Sequence, residues 1–315
     1  MFLVVFMQLL YGCTLTISKI LIGFANPIFV IAIRMLIAGA LLTAYATFVG
    51  RKNKVTIDAM SLFYIAQIGV IGIYLPYVLR YWALSYLPVI KAALIYNLAP
   101  FVSYFFSYLF FKEKATTRKW CGLLIGFVAI IPVLVARSQV EQAAGIGFLS
   151  WPEIAMLVSV SCFSYCWVVM KKLVMHTEIP APQFNGLNML IGGTCAMGTA
   201  HFIGAPMHIN EPSTFFLWLG LIILVTNFIC YNLYAYLLKR YSATLLSLAG
   251  LLAPVSAAVT SWIYFNEAIT WDAYLSGFLV MIGFLVFYSE ELKIARSQQQ
   301  QKDEETKEFQ EISED

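Results

Sequence analysis

Charge is the scarcest commodity in this chain of 315 residues: Asp, Glu, Lys and Arg together make up 12% of it, and hydrophobic residues 61%. A soluble domain is roughly a quarter charged and about half apolar, so a water-solvated fold around one core is excluded. The few charges gather in short clusters between uncharged stretches of about 20 residues, the length that crosses a hydrocarbon core. Lipid is the solvent that suits this composition.

The groups of ordinary catalysis are missing as well. There is no HExxH, nucleophile elbow, P-loop or deeply placed carboxylate pair, so neither an enzyme nor a cofactor is expected. Cys13, Cys121, Cys162, Cys166, Cys195 and Cys230 fall inside apolar stretches, with no CxxC pair and no His at metal spacing. They read as small buried hydrophobes. No basic leader or cleavage site precedes the first apolar run, which is kept as a helix from Phe2. The net charge of +3 combines basic loops with an acidic end after residue 300 and points to no nucleic acid. Large sensory loops are lacking too, which weighs against a membrane receptor or structural protein, the alternative class to a transporter.

What is present is a series of apolar stretches of spanning length. They predict helices over 2–22, 27–49, 60–82, 88–111 and 118–136, then over 152–173, 182–204, 214–238, 243–265 and 271–289. With the N-terminus in the cytoplasm, the inside loops hold Arg51, Lys52, Lys54, Lys112, Lys114, Arg118, Lys119, Lys171, Lys172, Lys239 and Arg240, and the outside loops hold Arg137. The positive-inside rule then puts both termini in the cytoplasm, which an even number of spans allows. Residues 290–315, rich in Gln, Glu, Lys and Asp, predict a disordered cytoplasmic tail.

The two halves resemble each other. Met35-Leu36-Ile37-Ala38-Gly39 returns as Met189-Leu190-Ile191-Gly192-Gly193, Pro100 as Pro254 and Glu113 as Glu267, all at one offset of 154 residues. Ile125-Gly126-Phe127 returns as Ile282-Gly283-Phe284 after a loop three residues longer. Five helices per copy is an odd number, so the second copy enters the membrane the other way up. The expected fold is an all-α integral membrane protein of ten transmembrane helices in two inverted five-helix repeats, residues 1–136 and 152–289. Two such bundles can exchange conformations and open a central site to one side and then the other.

Tyr81 and Ala83-Leu84, followed by a helix holding Pro100 and then Glu113, and echoed by Tyr236, Pro254 and Glu267, resemble the drug/metabolite transporter superfamily and its EamA-type members over roughly residues 2–289. The resemblance implies a secondary transporter of a bacterial inner membrane that moves a small organic metabolite by alternating access. An anionic-headed or zwitterionic cargo is expected, with S-adenosylmethionine exchanged for S-adenosylhomocysteine as the leading pair and amino acids or other nucleoside-like metabolites as the alternative.

Four cations fall within or at the edge of the spans: Lys19, Arg34, Arg80 and Lys91. Lys19, Arg80 and Lys91 stand near outer helix ends, where snorkelling to headgroups competes with a binding role. Arg34 lies roughly 10 Å below the outer boundary by helical rise, where a charge costs about 2.5 kcal/mol or more unless partnered. Glu153 and Asp272 stand at helix ends and Glu113 and Glu267 in or beside loops, so a substrate carboxylate is the expected partner of Arg34 and Arg80. The same lack of a deep carboxylate or His predicts exchange or facilitated diffusion rather than proton symport.

Gln8 and Tyr11, Tyr77 before Tyr81, Asn97, Asn185 and Asn188, and Asn227, Tyr231 and Tyr234 line up at helical spacing. Each serves either a central pocket or an interhelical hydrogen bond. Pro100 and Pro254 mark matching helix breaks of the kind that flank a midplane site, or kinks for packing. Aromatic faces suit an adenine and a sulfonium. Gly122 and Gly126 form a small-xxx-small pair, assigned to an internal helix contact in preference to a homodimer.

Overall fold

The computed structural model describes residues 2–49, 58–111, 116–129, 131–135, 150–177, 179–241, 246, 249–267, 270–271, 273–283 and 285–286. Arg51, Lys52, Lys54, Lys112, Glu113, Lys114, Arg137, Asp272 and the 290–315 tail lie outside them. In a medium that cannot hydrogen-bond to the backbone, an apolar segment satisfies its N–H and C=O groups internally, and helix is the answer nearly throughout. The helices are α1 (Phe2–Ile22), α2 (Pro27–Val49), α3 (Ala59–Leu84), α4 (Val89–Tyr96), α5 (Ala99–Phe111), α6 (Thr117–Val128) and α7 (Ile131–Val135) in the first half. The second half holds α8 (Trp151–His176), α9 (Ala181–Phe202), α10 (Pro212–Leu238), α11 (Ala253–Phe265) and α12 (Ala273–Gly283).

Helix starts follow local chemistry. Asn26 accepts from the Ile28 amide at 3.0 Å with Pro27 at the first helical position of α2. At the start of α3, Asp58 accepts from the Ser61 amide at 3.3 Å, and the Ser61 hydroxyl holds its carboxyl below the ordinary range. At α8, Ser150 and Glu153 form a reciprocal capping box.

Among the described residues, six helices are long and apolar enough to cross a membrane by length and composition: α1, α2, α3, α8, α10 and the run from Val89 to Phe110 that α4 and α5 share. Of the other expected spans, α9 has full length but is rich in Gly, Asn and Thr. The expected helix over 118–136 appears as α6 and α7. Those over 243–265 and 271–289 are described in part.

Interruptions fall at matching places. The break between α4 and α5 precedes Pro100, and a 3₁₀ turn, Gly250–Leu252, precedes α11 with Pro254 in its first turn. A proline cannot donate to the carbonyl four residues back and its ring crowds that group, so Tyr96 and Gly250 mark where the α-ladder stops. Both α3 and α10 pass through a π-helical segment, Ile68–Tyr74 and Ile223–Cys230.

Packing between the halves is reciprocal. Helix α2 lies along α9: a Cβ on Gly39 would come within 2.8 Å of Leu190, and one on Gly193 within 2.9 Å of Leu36, whose partners are themselves 154 residues apart. Close backbone approach explains the small residues of α9. Helix α1 packs on α10 and α11, and α8 packs on α3, α4 and α5. The pair predicted on α6 makes an internal contact: a Cβ on Gly283 of α12 would meet the Gly122 carbonyl and the Gly126 amide nitrogen at 3.0 Å.

Candidate functional site

Arg34, on α2, is 0% exposed. Its Nε donates to Asn227 Oδ1 at 3.0 Å and its Nη1 to the Tyr81 hydroxyl at 2.6 Å. Tyr81 also accepts from Ser18 at 3.0 Å, so one guanidinium ties together α1, α2, α3 and the π segment of α10. Its Nη2 has no hydrogen-bond partner.

Arg80, one residue before Tyr81 on α3, is 7% exposed and its Nε is likewise unpartnered. Its guanidinium sits 4.2 Å from the Tyr77 ring centroid, 5.6 Å from that of Tyr96 and 5.8 Å from that of Tyr81. Arg34 lies 5.1 Å from the same Tyr77 ring. Two guanidiniums therefore share one aromatic ring, with no carboxylate in ion-pair range of either among the described residues. A cation–π contact supplies about 0.5–2 kcal/mol, less than the several kcal/mol that burying an unpaired charge costs. The electrostatics of the cluster call for an anion.

The Tyr77 hydroxyl meets that of Tyr231 on α10 at 3.0 Å. Asn227 turns its amide N–H groups toward Met189 Sδ at 3.3 Å and Met35 Sδ at 3.6 Å. Trp167 on α8 stacks on Tyr234 with centroids 3.7 Å apart and tilts against Tyr231 at 5.6 Å. Tyr11 meets the edge of Tyr234, and its buried hydroxyl has no partner.

The other expected site residues divide. Asn185 donates to Asn232 Oδ1 at 3.1 Å and keeps an unpartnered Oδ1, while Asn188 has no partner on either amide atom. Gln8 donates to the Leu246 carbonyl at 2.7 Å, an interhelical tie. Asn97 is buried where α4 ends, three residues before Pro100. Pro254 opens α11 beside α1: Ser256, two residues on, donates to the Leu9 carbonyl at 2.7 Å.

Lys91 and Lys19, read as snorkelling or as ligands, are each held in an ion pair with a carboxylate. Lys91 Nζ lies 2.6 Å from Glu153 Oε1, the carboxylate being 1% exposed. Glu153 stands at a helix start, as its place in the sequence predicts, and the fold turns it inward to neutralise Lys91. Lys19 pairs with Glu267 at 2.9 Å and donates to the Leu87 carbonyl at 3.1 Å. Glu267 also accepts from the Val89 and Ile90 amides and from Ser261, capping α4 from the other half of the chain.

Sequence reasoning left out Tyr96, Trp167 and Asn232 as site residues, and placed Tyr81 in the resemblance and four residues after Tyr77 on one helix. A signal existed for the centre of the cluster: Tyr77 and Tyr231 are 154 residues apart, the offset of the repeat. Tyr96 stands four residues before Pro100, at the carbonyl a proline leaves free.

A family model described as the EamA-like transporter family matches residues 1–135 and 150–289. The chain is 28% identical over 300 residues to the S-adenosylmethionine/S-adenosylhomocysteine transporter of Chlamydia muridarum (strain MoPn / Nigg), covering 93% of this chain and 92% of that one. The protein of the same name from Chlamydia trachomatis serovar D is also 28% identical over 300 residues, with 93% and 90% covered. An uncharacterized transporter of Clostridium kluyveri is 20% identical over 274 residues, 86% of each chain. A crystal structure of 20% identity superposes with a TM-score of 0.66 over 90% of this chain and 94% of its own, a likeness of fold.

Proposed function

The chain belongs to the EamA-like transporter family, and from that premise we propose that it is a secondary transporter that exchanges S-adenosylmethionine for S-adenosylhomocysteine by alternating access. Membership makes it an integral membrane protein of a transporter family. Ten spans in two inverted repeats, in a bacterial inner membrane with both termini cytoplasmic, are part of this reading.

The repeat is supported by self-equivalent contacts. When a two-fold operation exchanges two similar units, a residue touches its own counterpart on the axis, and other contacts occur in reciprocal pairs. Tyr77 meets Tyr231, Asn227 joins Met35 and Met189, and Gly126 abuts Gly283. The matched π segments and proline breaks support it as well.

The observation that carries the substrate reading is the Arg34 and Arg80 pair, buried around Tyr77 with free donors and, among the described residues, no carboxylate in ion-pair range. A substrate carboxylate supplies the missing charge through a forked contact. The chlamydial relatives bear the name of a transporter whose cargo has such a carboxylate, an adenine and, in one partner, a sulfonium. Tyr77, Tyr96, Tyr231, Tyr234 and Trp167 offer faces to ring and onium alike. Exchange is favoured over proton symport because no Asp, Glu or His contacts the cluster among the described residues.

The test is uptake of labelled S-adenosylmethionine by proteoliposomes loaded with S-adenosylhomocysteine. Efflux of the internal partner should match uptake, and Arg34→Ala or Arg80→Ala should each lower the rate at least about tenfold, the loss of one charged hydrogen bond worth about 1.5–3 kcal/mol. Normal transport by both variants would overturn the reading.

A further inference from the structure

Resting on the reading that the cargo carries an adenosine, we propose that Asn188 is the specificity residue that reads the edge of its base. Arg34 and Asn188 stand the same 154 residues apart as Tyr77 and Tyr231. They precede Met35 and Met189, which flank one Asn227 amide from two sides. Asn188 thus occupies on α9 the position that Arg34 occupies on α2, in helices that lie against each other. One half of the repeat brings a cation to this level of the bundle; the other brings a neutral amide.

The amide is unspent. Asn188 is 1% exposed, and neither its Oδ1 nor its Nδ2 has a hydrogen-bond partner. A structural asparagine between packed helices ties one to another, as Asn227 does in accepting from Arg34 and Asn232 in accepting from Asn185; the Asn188 side chain ties none. Leaving both groups unmet is unfavourable, and a ligand with a donor and an acceptor side by side relieves it.

A planar amide with donor and acceptor both free is the complement of adenine, whose exocyclic amine donates beside a ring nitrogen that accepts. We assign Asn188 to the N7 and exocyclic-amine edge, where hypoxanthine presents two acceptors, N7 and O6, and is a poor match for the amide. Beside Asn188 on the same helix, Asn185 offers a second unpartnered oxygen. Division of labour follows: Arg34 and Arg80 hold the carboxylate end, and Asn188 selects the base.

The experiment is competition against labelled S-adenosylmethionine in proteoliposomes, using two unlabelled competitors, S-adenosylmethionine itself and its 6-oxo (inosine) analogue, and a third, the decarboxylated compound. Wild type should prefer the adenine form over the 6-oxo form by about tenfold or more, the range of one bidentate amide pair. Asn188→Leu should bring that ratio close to one while leaving the preference for the carboxylate intact. Asn188→Ala, with less bulk to accommodate, provides the same readout should the leucine variant fail to insert. An unchanged base preference in a variant that still takes up S-adenosylmethionine overturns this inference and leaves the proposed function standing. No uptake by wild type overturns both.

Discussion

Lys91 and Glu153 show at the scale of single residues why charge in a low-dielectric interior must be read in pairs. Their contact is 2.6 Å and nearly dry. Removing one member strands the other, which costs about 3–5 kcal/mol, whereas replacing both with apolar groups is often neutral. Glu153→Gln should therefore lower the midpoint of thermal unfolding in detergent sharply, and adding Lys91→Met to it should restore most of the loss. Arg34 is different in kind, because its fork reaches Asn227 and Tyr81 together and still leaves Nη2 free. Arg34→Lys keeps the charge and loses the fork, so folded protein should be recovered with uptake reduced at least about tenfold. The depth of Arg34 was legible from its place in an apolar run. The partners of Lys19 and Lys91 were not, since Glu267 and Glu153 approach them from the other half of the chain.

At the scale of elements, the two proline breaks were legible because proline acts on its own helix, through a missing N–H and a clash with the carbonyl four residues back. Pro100→Ala and Pro254→Ala should heal the turns after Tyr96 and Gly250; we expect unchanged or higher thermal stability with slower uptake, read in the same preparation. The π segments of α3 and α10 carry no comparable mark in sequence. Small residues in α9 serve its approach to α2. Gly193→Val should cost about 1–3 kcal/mol by overpacking against the backbone of Leu36, seen as loss of monodisperse protein. Gly198→Ala, with open space around it, should be tolerated or stabilise by about 0.5–1 kcal/mol.

For the molecule as a whole, Tyr77 meets Tyr231 and Gly126 abuts Gly283, contacts that a two-fold axis between the halves would produce. If the halves are inverted about it, cysteines placed in the first and last residues react with a membrane-impermeant reagent from the cytoplasmic side alone. Exchange has an electrical consequence too. S-adenosylmethionine carries one more positive charge than S-adenosylhomocysteine, so each turnover of the proposed exchange would move a charge worth about 2.3 kcal/mol per 100 mV. Uptake into loaded vesicles should accelerate under an inside-negative potassium diffusion potential and slow when it is reversed. Composition alone determined that this chain lives in lipid, because no water-soluble fold hides so much apolar surface, and run length and periodicity determined where its helices run and where two of them break. The tertiary structure alone decided which polar groups meet. Pairing across the bundle joins residues far apart in the chain, and a buried charge or amide is satisfied by whatever the packed helices bring within about 3 Å of it, which no local pattern encodes.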